Sequence, residues 1–219
     1  SYLDYLIYYE SIFNYKMNHG LPKLDRKNNL IKEIVLCDGV GSSGKGMLNH
    51  IISSFKRVEL QRNDYVFDYI PKIYALGKIS KDAAISILKT EADSFFYNNM
   101  ISRGVNFRPT DSSSVYNNGG SRKYIRRLGL PEGDDVIKRI KKEKPIFTNA
   151  PHEALGNCNL FFEAFGNRIK FIYVLRNPIE IIYDWIIRGF GERIGKDPRE
   201  FQLAFTYKNK PVPIFAKKF

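Results

Sequence analysis

The chain has 219 residues and carries 35 Lys or Arg against 23 Asp or Glu, a formal net charge of +12 at pH 7. Hydrophobic residues make up 43% of it, enough to build one packed core, so we expect a single domain over residues 1–219. Two cysteines are too few for a disulfide framework or a cysteine-rich zinc site. The sequence predicts no membrane segment and shows no signal-peptide pattern, which favours a cytoplasmic protein. The apolar and basic end, "PVPIFAKKF", leads us to expect that the chain is part of a longer protein.

The positive net charge predicts attraction to an anionic partner. A phosphorylated donor, an anionic glycan or a nucleic acid would each satisfy this charge, and a basic surface that only keeps the protein soluble is the alternative. The sequence carries no nucleic-acid-binding motif beyond its charge, so no nucleic-acid partner is expected.

The first third of the chain predicts a helix, a strand and a second helix. Residues 2–17 carry many aromatic side chains at helical spacing, and a polar connector continues to residue 30. The apolar run Ile34–Asp38 is typical of a buried strand, and the helix after the next glycine-rich turn covers residues 45–55. A short second strand is expected within residues 57–67.

The remainder alternates helices with strands. The helix Lys81–Met100 follows Ser80, a typical N-cap, while residues 104–124 are rich in Gly, Ser and Asn and predict a long loop. The other predicted elements are helices at 69–76, 134–142, 152–165 and 178–189 and strands at 145–149 and 169–175, before an irregular tail. This alternation indicates an α/β fold, a P-loop NTPase-like parallel sheet with helices on both faces and an extra N-terminal helix. Ligands of such sheets bind beyond the carboxyl ends of the strands.

The turn after the first strand predicts a phosphate-binding loop. Its sequence, "GVGSSGKG", has the spacing Gly39-x4-Gly44-Lys45, and backbone N–H groups in such a turn attract anions at the start of a helix. The candidate phosphate-binding residues are Gly41, Ser42, Ser43, Gly44, Lys45 and Gly46. A purely structural Gly/Ser turn is the alternative. A nucleoside triphosphatase needs Ser or Thr in place of Gly46 and an Asp at the end of a later strand, so we predict a site without a metal ion.

A second motif follows the strand at 169–175. Arg176, Asn177 and Pro178 stand at the strand end, with Glu180 in the first helical turn. Arg176 can bind a phosphate through two parallel hydrogen bonds. An ion pair with Glu180 or Asp184 would give it a structural role instead.

In these two motifs the sequence resembles the sulfotransferases that use 3′-phosphoadenosine 5′-phosphosulfate (PAPS) as donor. Their signature is an apolar strand followed by R-N-P-x-[DE], and their loop follows the first strand of a P-loop α/β fold. The resemblance covers residues 34–55 and 145–189. It implies that the loop binds the 5′-phosphosulfate without a metal ion, and that Arg176 and the residue at position 184 bind the 3′-phosphate.

The chain departs from this family at three loop and helix positions. Ser42 stands where a basic residue is usual, and Lys45 stands where Thr is usual, so Lys45 is expected to supply the displaced charge. Asp184 replaces the Ser of the family, and a carboxylate beside a 3′-phosphate is repulsive unless it is neutralised. The late basic segment that also holds the 3′-phosphate in many members has no obvious counterpart.

The resemblance also implies a general base, a His or a Glu, that removes a proton from the acceptor. His152, shortly after the strand at 145–149, is the first candidate, with a packing or capping role as its alternative. Glu59 is the second candidate base, and Lys45 is expected to stabilise charge on the leaving phosphate. The expected acceptor group is a hydroxyl or an amine of a carbohydrate or a small hydroxylated molecule, and the basic net charge favours an anionic acceptor.

Two other functions fit parts of the sequence. Lys45 is compatible with an ATP-dependent kinase, although the magnesium partners are missing. Asp184 and the altered loop are compatible with a non-catalytic protein that binds a glycan or another anion through its charge. The sequence predicts neither the oligomeric state nor the particular acceptor.

Overall fold

The computed structural model describes residues 21–61, 64–111, 113–117, 120–193, 196–201 and 203–213 of the chain. The N-terminal helix expected at residues 2–17 lies outside the described residues and stays a prediction. A three-stranded parallel sheet flanked by helices forms the centre of the described part, which confirms the predicted α/β class.

The sheet has the order β2-β1-β3, with β1 (Ile34–Asp38) between β2 (Phe147–Asn149) and β3 (Ile169–Tyr173). The first residue of β1 pairs with the first residue of both neighbours, and both pairings are parallel. A central strand of a parallel sheet is covered on both faces, which explains why β1 is apolar along most of its length. Because the three strands run the same way, the segments that follow them meet at one edge of the sheet.

Helices of different lengths surround the sheet. In chain order they are α1 (Lys45–Ser53), α2 (Val66–Ala75), α3 (Lys81–Met100), α4 (Ser121–Arg127), α5 (Asp134–Glu143), α6 (Cys158–Phe165), α7 (Pro178–Ile187) and the short α8 (Phe190–Arg193). Short 3-10 turns lie at Val115–Asn117, Ala154–Asn157, Gly166–Arg168 and Pro198–Glu200. Helix α3 begins and ends where predicted, and Ser80 Oγ accepts the N–H of Ala83 as its N-cap.

The side chains of β1 alternate between two apolar layers. Ile34 and Leu36 belong to the main core, which α2, α3, α5 and α6 cover, whereas Cys37 belongs to a smaller cluster with Ile52 of α1. The buried Cys37 thiol therefore serves as a small apolar side chain, and burial raises its pKa. Helices thus pack on both faces of the sheet, as the alternation of strands and helices predicts.

Some predicted boundaries are wrong for local reasons. The second strand expected within residues 57–67 is reduced to one bridge between Val58 and Ile146, and α2 begins earlier than predicted. The helix predicted from residue 152 begins at Cys158, because Glu153 has a φ of +57° and Ala154–Asn157 forms a 3-10 turn. The ends of α1, α5, α7, β2 and β3 lie within two residues of their predicted positions.

The polar loop predicted at residues 104–124 and the tail both contain regular structure. The loop carries the 3-10 turn Val115–Asn117 and the start of α4. In the tail, β4 (Ala204–Tyr207) and β5 (Lys210–Pro213) form an antiparallel hairpin, so the expectation of an irregular tail is wrong. Lys208 and Asn209 have φ values of +46° and +60°, as a type I′ turn requires, and this turn lacks the glycine that would have revealed it in the sequence.

Candidate functional site

A cavity of about 470 Å³ opens at the carboxyl edge of the sheet, where the loop after β1 meets the segments after β2 and β3. Eight of the residues proposed from the sequence line this cavity: Gly41, Ser42, Gly44, Lys45, Gly46, His152, Arg176 and Asp184. Ser43 is buried behind the loop, and Glu59 does not belong to the lining. The structure therefore joins two motifs whose residues Ser42 and Arg176 are 134 positions apart.

The loop between β1 and α1 has a backbone shape that small residues permit. Gly44 precedes α1 with a φ of +95°. A Cβ atom at Gly39 would lie 2.6 Å from Ser43 Oγ and 3.0 Å from the carbonyl oxygen of Val174, so a side chain there would force a shift. The first turn of α1, "KGML", contains no acidic residue, and its backbone N–H groups give this edge a partial positive charge.

Buried polar atoms without a hydrogen-bond partner cluster around this loop. Among the described residues, six of them are Asp38 Oδ1, Ser42 Oγ, Ser43 Oγ, Asn49 Oδ1, Asn49 Nδ2 and Thr148 Oγ1. Each such atom costs about 1–3 kcal/mol unless a ligand or a water molecule satisfies it. All six lie on β1, β2, the loop or α1, so this edge of the sheet has hydrogen-bonding atoms with which a polar ligand could pair.

Lys45 is buried and bonded to the backbone at two sides of the cavity. Its Nζ donates hydrogen bonds to the carbonyl oxygens of Gly39 at 2.9 Å and of Pro151 at 2.7 Å. Burial lowers the pKa of the Lys45 amine to about 8, a shift that the carboxylates of Asp68 and Asp38 partly offset. The charge of Lys45 therefore depends on pH close to neutrality, and an approaching anion would favour its charged form.

His152 is held at the cavity by Asp68 of α2. The buried carboxylate of Asp68 accepts the backbone N–H of His152, and its second oxygen lies 3.4 Å from the ring nitrogen Nδ1. The His152 side chain is 39% exposed, and the contact at Nδ1 leaves Nε2 for a partner in the cavity. Sequence reasoning missed this contact, because no spacing pattern links two residues 84 positions apart.

Arg176 connects the second motif to the loop and to α7. Its Nη1 donates to the carbonyl oxygen of Ser42 at 2.9 Å and to Asp184 Oδ2 at 2.6 Å, while Nε donates to Glu180 Oε2 at 2.9 Å. The hydrogen bonds to Glu180 and Asp184 raise the pKa of the guanidinium, so it stays charged. The structural ion pair that was the alternative for Arg176 is thus present, and it lies in the lining of the cavity.

Trp185 makes a second connection between α7 and the loop. Its indole Nε1 donates a hydrogen bond to the carbonyl oxygen of Gly41 at 3.0 Å. The ring also packs edge-on against Phe190, with 6.2 Å between the ring centroids. Two side chains of one motif therefore bond directly to the backbone of the other.

Glu59, the second candidate base, lies in a buried ion-pair cluster instead. Its carboxylate accepts hydrogen bonds from Arg127 at 2.7 and 3.0 Å, from Tyr124 at 2.9 Å and from Lys123 at 3.1 Å. Burial raises the pKa of the Glu59 carboxyl, but the hydrogen bonds from Arg127 and the charge of Lys123 outweigh it and hold the pKa below its usual range. This carboxylate has no access to a substrate in the cavity, so the expectation of a base at Glu59 is corrected to a structural role.

Three further polar or charged lining residues were not proposed from the sequence, namely Asn49, Gln61 and Arg188. Asn49 follows Lys45 by one helical turn, which places both on the same face of α1. That spacing was a signal available in the sequence. Gln61 and Arg188 reach the cavity only because the chain folds back, and no local pattern marks them.

Comparisons of the chain with protein-family models, with characterised proteins and with solved structures found no match. Within the described part of the chain, no helix combines the length and the apolar character needed to cross a membrane. The fold and the site alone therefore define the class, an α/β protein with a three-stranded parallel sheet and a polar cavity at its carboxyl edge.

Proposed function

We propose that the protein is a sulfotransferase that moves a sulfuryl group from PAPS to a hydroxyl group of a carbohydrate or small-molecule acceptor. The observation that carries this proposal is the convergence of Lys45, His152 and Arg176 on one cavity at the carboxyl edge of a parallel sheet. The proposal includes the finer fold, a P-loop NTPase-like domain whose loop after β1 wraps a phosphate group.

The loop after β1 suits the 5′ end of such a donor. The hydroxyl groups of Ser42 and Ser43 are buried without partners, and backbone N–H groups open onto the cavity at the start of α1. Apart from their chain neighbours and the backbone of α1, Gly44 and Gly46 have no atom within 4 Å of the position that a Cβ would take, which leaves room for a phosphate against the backbone. Lys45 supplies the positive charge that the sulfotransferases place at the position of Ser42.

The 3′-phosphate of the donor fits the cavity if Arg176 exchanges its partner Asp184 for the phosphate. Arg176 offers a charged donor there, but Asp184 accepts the hydrogen bond from its Nη1. A phosphate group would compete with this carboxylate for Arg176 and would be repelled by it. Arg188 also lines the cavity and supplies a second positive charge against that repulsion. We therefore expect the donor to bind more strongly when Asp184 releases Nη1 of Arg176.

The transfer assigns three roles to residues of the chain. When bound, PAPS supplies a sulfuryl group activated by a phosphate leaving group. The acceptor oxygen forms a bond to sulfur, the bond between sulfur and the phosphate oxygen breaks, and His152 takes the proton of the acceptor hydroxyl. Lys45 and the loop N–H groups stabilise the negative charge that develops on the phosphate oxygen. Asp68 orients the ring of His152 and balances the positive charge that the ring acquires.

One observation favours a second function, that of an ATP-dependent kinase. Burial lowers the pKa of Lys45, and the nearby charges of Asp68 and Asp38 partly offset that shift, while Asp38 Oδ1 is buried without a partner. Carboxylates beside a phosphate-binding loop are the ligands that magnesium prefers. Gly46, however, lacks the hydroxyl that holds this ion in nucleoside triphosphatases. The non-catalytic alternative is favoured by the pairing of Arg176 with an acidic side chain.

Calorimetric titration of the purified chain tests the proposed function. The ligands are adenosine 3′,5′-bisphosphate, adenosine 5′-monophosphate, and ATP with and without magnesium. We expect the bisphosphate to bind without a metal ion and more tightly than the monophosphate, and we expect Arg176→Ala to remove that preference. Arg108→Ala, which changes an arginine exposed to solvent, is the matched control.

Each other result of the titration points to a different function. Binding of ATP only in the presence of magnesium would favour the kinase. Binding of no nucleotide would leave the non-catalytic alternative. An unchanged preference for the bisphosphate in Arg176→Ala would refute the assignment of this residue to the 3′-phosphate.

A further inference from the structure

A second cavity, of about 360 Å³, lies beside the proposed donor cavity and shares Gln61 with it. The end of α3 and the first part of the polar loop form its walls. The polar residues in its lining are Gln61, Asn99, Arg103, Asn106 and Ser113. The segment that the sequence marks as a long Gly-, Ser- and Asn-rich loop is therefore the wall of a cavity.

Packing and hydrogen bonds within the chain hold this wall in place. Val115 is fully buried in a cluster with Leu60 and Tyr124, and its backbone N–H donates to the carbonyl oxygen of Asn106 at 2.9 Å. The side chain of Asn106 donates to Ser113 Oγ at 2.9 Å, which fixes two lining residues relative to each other. A cavity with such a wall binds a ligand at a smaller cost in conformational entropy than a loose loop does.

The lining of the second cavity is polar, and its one charged residue is already paired. Arg103 makes two hydrogen bonds of 2.8 Å to Glu132. The other polar lining groups are side-chain amides and a hydroxyl. Asn106 Nδ2 donates to Asp111 and Ser113, and Asn99 Nδ2 donates to the carbonyl oxygen of Leu60, so these two amides offer a ligand mainly their oxygen atoms, which accept hydrogen bonds. That combination matches the hydroxyl groups of a sugar or a polyol better than it matches a carboxylate or a sulfate.

We propose that the second cavity binds the acceptor, and that the part of the acceptor held there is an uncharged ring bearing several hydroxyl groups. The inference rests on the proposed function and specifies its acceptor. It replaces the expectation of an anionic acceptor, which came from the net charge of the whole chain.

Asn49 and Gln61 connect this cavity to the reacting group. Both line the donor cavity together with His152, and Gln61 lines the second cavity as well. The side-chain Oδ1 and Nδ2 of Asn49 are buried without partners. A hydroxyl group that reached from the second cavity past Gln61 would satisfy Asn49 and would lie in the same cavity as His152.

Saturation-transfer NMR on the full chain, in the presence of adenosine 3′,5′-bisphosphate, tests this inference. The probes are a panel of neutral disaccharides and matching disaccharides that contain a uronic acid. Ser113→Trp places a large ring in the second cavity at an exposed position, and Ser94→Trp, an exposed serine of α3 outside both cavities, is the matched control. We expect a neutral disaccharide to bind wild type and Ser94→Trp, and to bind Ser113→Trp at least about tenfold more weakly, with unchanged nucleotide affinity.

The other outcomes separate this inference from the proposed function. Binding of the uronic-acid probes alone, neutral binding that Ser113→Trp leaves unchanged, or binding of no saccharide would each overturn the inference. If the wild type does not bind adenosine 3′,5′-bisphosphate, the proposed donor is wrong. The comparison of neutral and acidic saccharides would still decide the role of the second cavity. If Ser113→Trp does not fold, Gln61→Leu replaces it as the test variant. This change removes the amide that both cavities share, and we expect it to lower the affinity for the neutral disaccharide in the same way.

Discussion

Asp184 Oδ2 lies 2.6 Å from Nη1 of Arg176, in the lining of the cavity where we place the donor. The carboxylate belongs to α7 and the guanidinium to the turn before it, so one short segment supplies both charges. Its net effect is to neutralise the cation that would bind a 3′-phosphate. The strength of donor binding should therefore depend on how easily this pair opens.

Asp184→Ser should strengthen binding of adenosine 3′,5′-bisphosphate. The change frees Arg176 from this carboxylate and removes a repulsive charge, and we expect a gain of about tenfold in affinity. Adenosine 5′-monophosphate lacks the 3′ group and should show little change in calorimetry. Glu180→Ser is the control, because Glu180 also pairs with Arg176 but does not line the cavity. An equal gain for both nucleotides would contradict the assignment of this pair to the 3′-phosphate.

His152→Ala should remove the proposed general base. General acid–base catalysis contributes about 10²- to 10⁴-fold, so we expect kcat to fall within that range. Nucleotide affinity should stay within about twofold of the wild type, since the proposed donor contacts lie on the loop and Arg176. Steady-state kinetics with a saccharide acceptor, together with calorimetry, measures both quantities. Full turnover in the variant would assign the base to another group.

Asp68→Asn should weaken catalysis through two neighbours of Asp68. An amide oxygen can still accept the backbone N–H of His152, but it no longer balances a positive imidazole ring, and we expect kcat to fall about tenfold. The carboxylate of Asp68 also raises the pKa of Lys45, so its loss should lower that pKa further below about 8. Nucleotide affinity measured against pH should then begin to fall at a lower pH than in the wild type. A variant that loses kcat but keeps the wild-type pH profile would limit Asp68 to packing.

The lowered pKa of Lys45 predicts a pH dependence of stability. Between about 8, its value in the folded chain, and its usual value of 10.5, the unfolded chain binds more protons than the folded one. The free energy of unfolding that Lys45 contributes therefore rises with pH in this window, by about 3 kcal/mol over the full shift. We expect urea unfolding to show that the free energy of unfolding of the wild type rises relative to that of Lys45→Met between about pH 8 and pH 10.5. Lys138→Met, at an exposed lysine, should show no such trend, and a pH-independent difference for Lys45→Met would contradict the prediction.

Glu59→Ala should destabilise the chain, since it leaves Arg127 buried without its main partner. Both side chains are 2% exposed, and breaking a buried pair of this kind costs about 3–5 kcal/mol. Glu163→Ala, which breaks an exposed pair with Lys81, should leave the free energy of unfolding nearly unchanged. Denaturant unfolding measures both. A Glu59→Ala variant that is as stable as the wild type and catalytically dead would restore the candidate base.

The parts of the fold that the sequence predicts well have local causes. Helix α3 is bounded by a Ser80 cap and by its own composition, and β1 is an unbroken apolar run before a glycine-rich turn. The order of these elements was enough to place the loop and Arg176 at one edge of the sheet. The helix expected from residue 152 was placed too early, because a left-handed residue at Glu153 leaves no trace in hydrophobic periodicity.

The parts of the site that the sequence does not predict depend on contacts between distant segments. Asp68 and His152 are 84 positions apart, and Glu59 and Arg127 are 68 apart. A glutamate near a predicted loop has the same sequence signature whether it is a free base or half of a buried ion pair. Only the three-dimensional arrangement distinguishes these two cases, and it places Glu59 in the second.

Trp185 is the only tryptophan of the chain, and its indole bonds to the backbone of the loop between β1 and α1. Its fluorescence therefore comes from one known place, in contact with the carbonyl oxygen of Gly41. A ligand that moves the loop changes the polarity and the hydrogen bonding of this single fluorophore. The chain thus contains an optical probe of its own loop, with which ligand titrations and rapid-mixing experiments can proceed without a label.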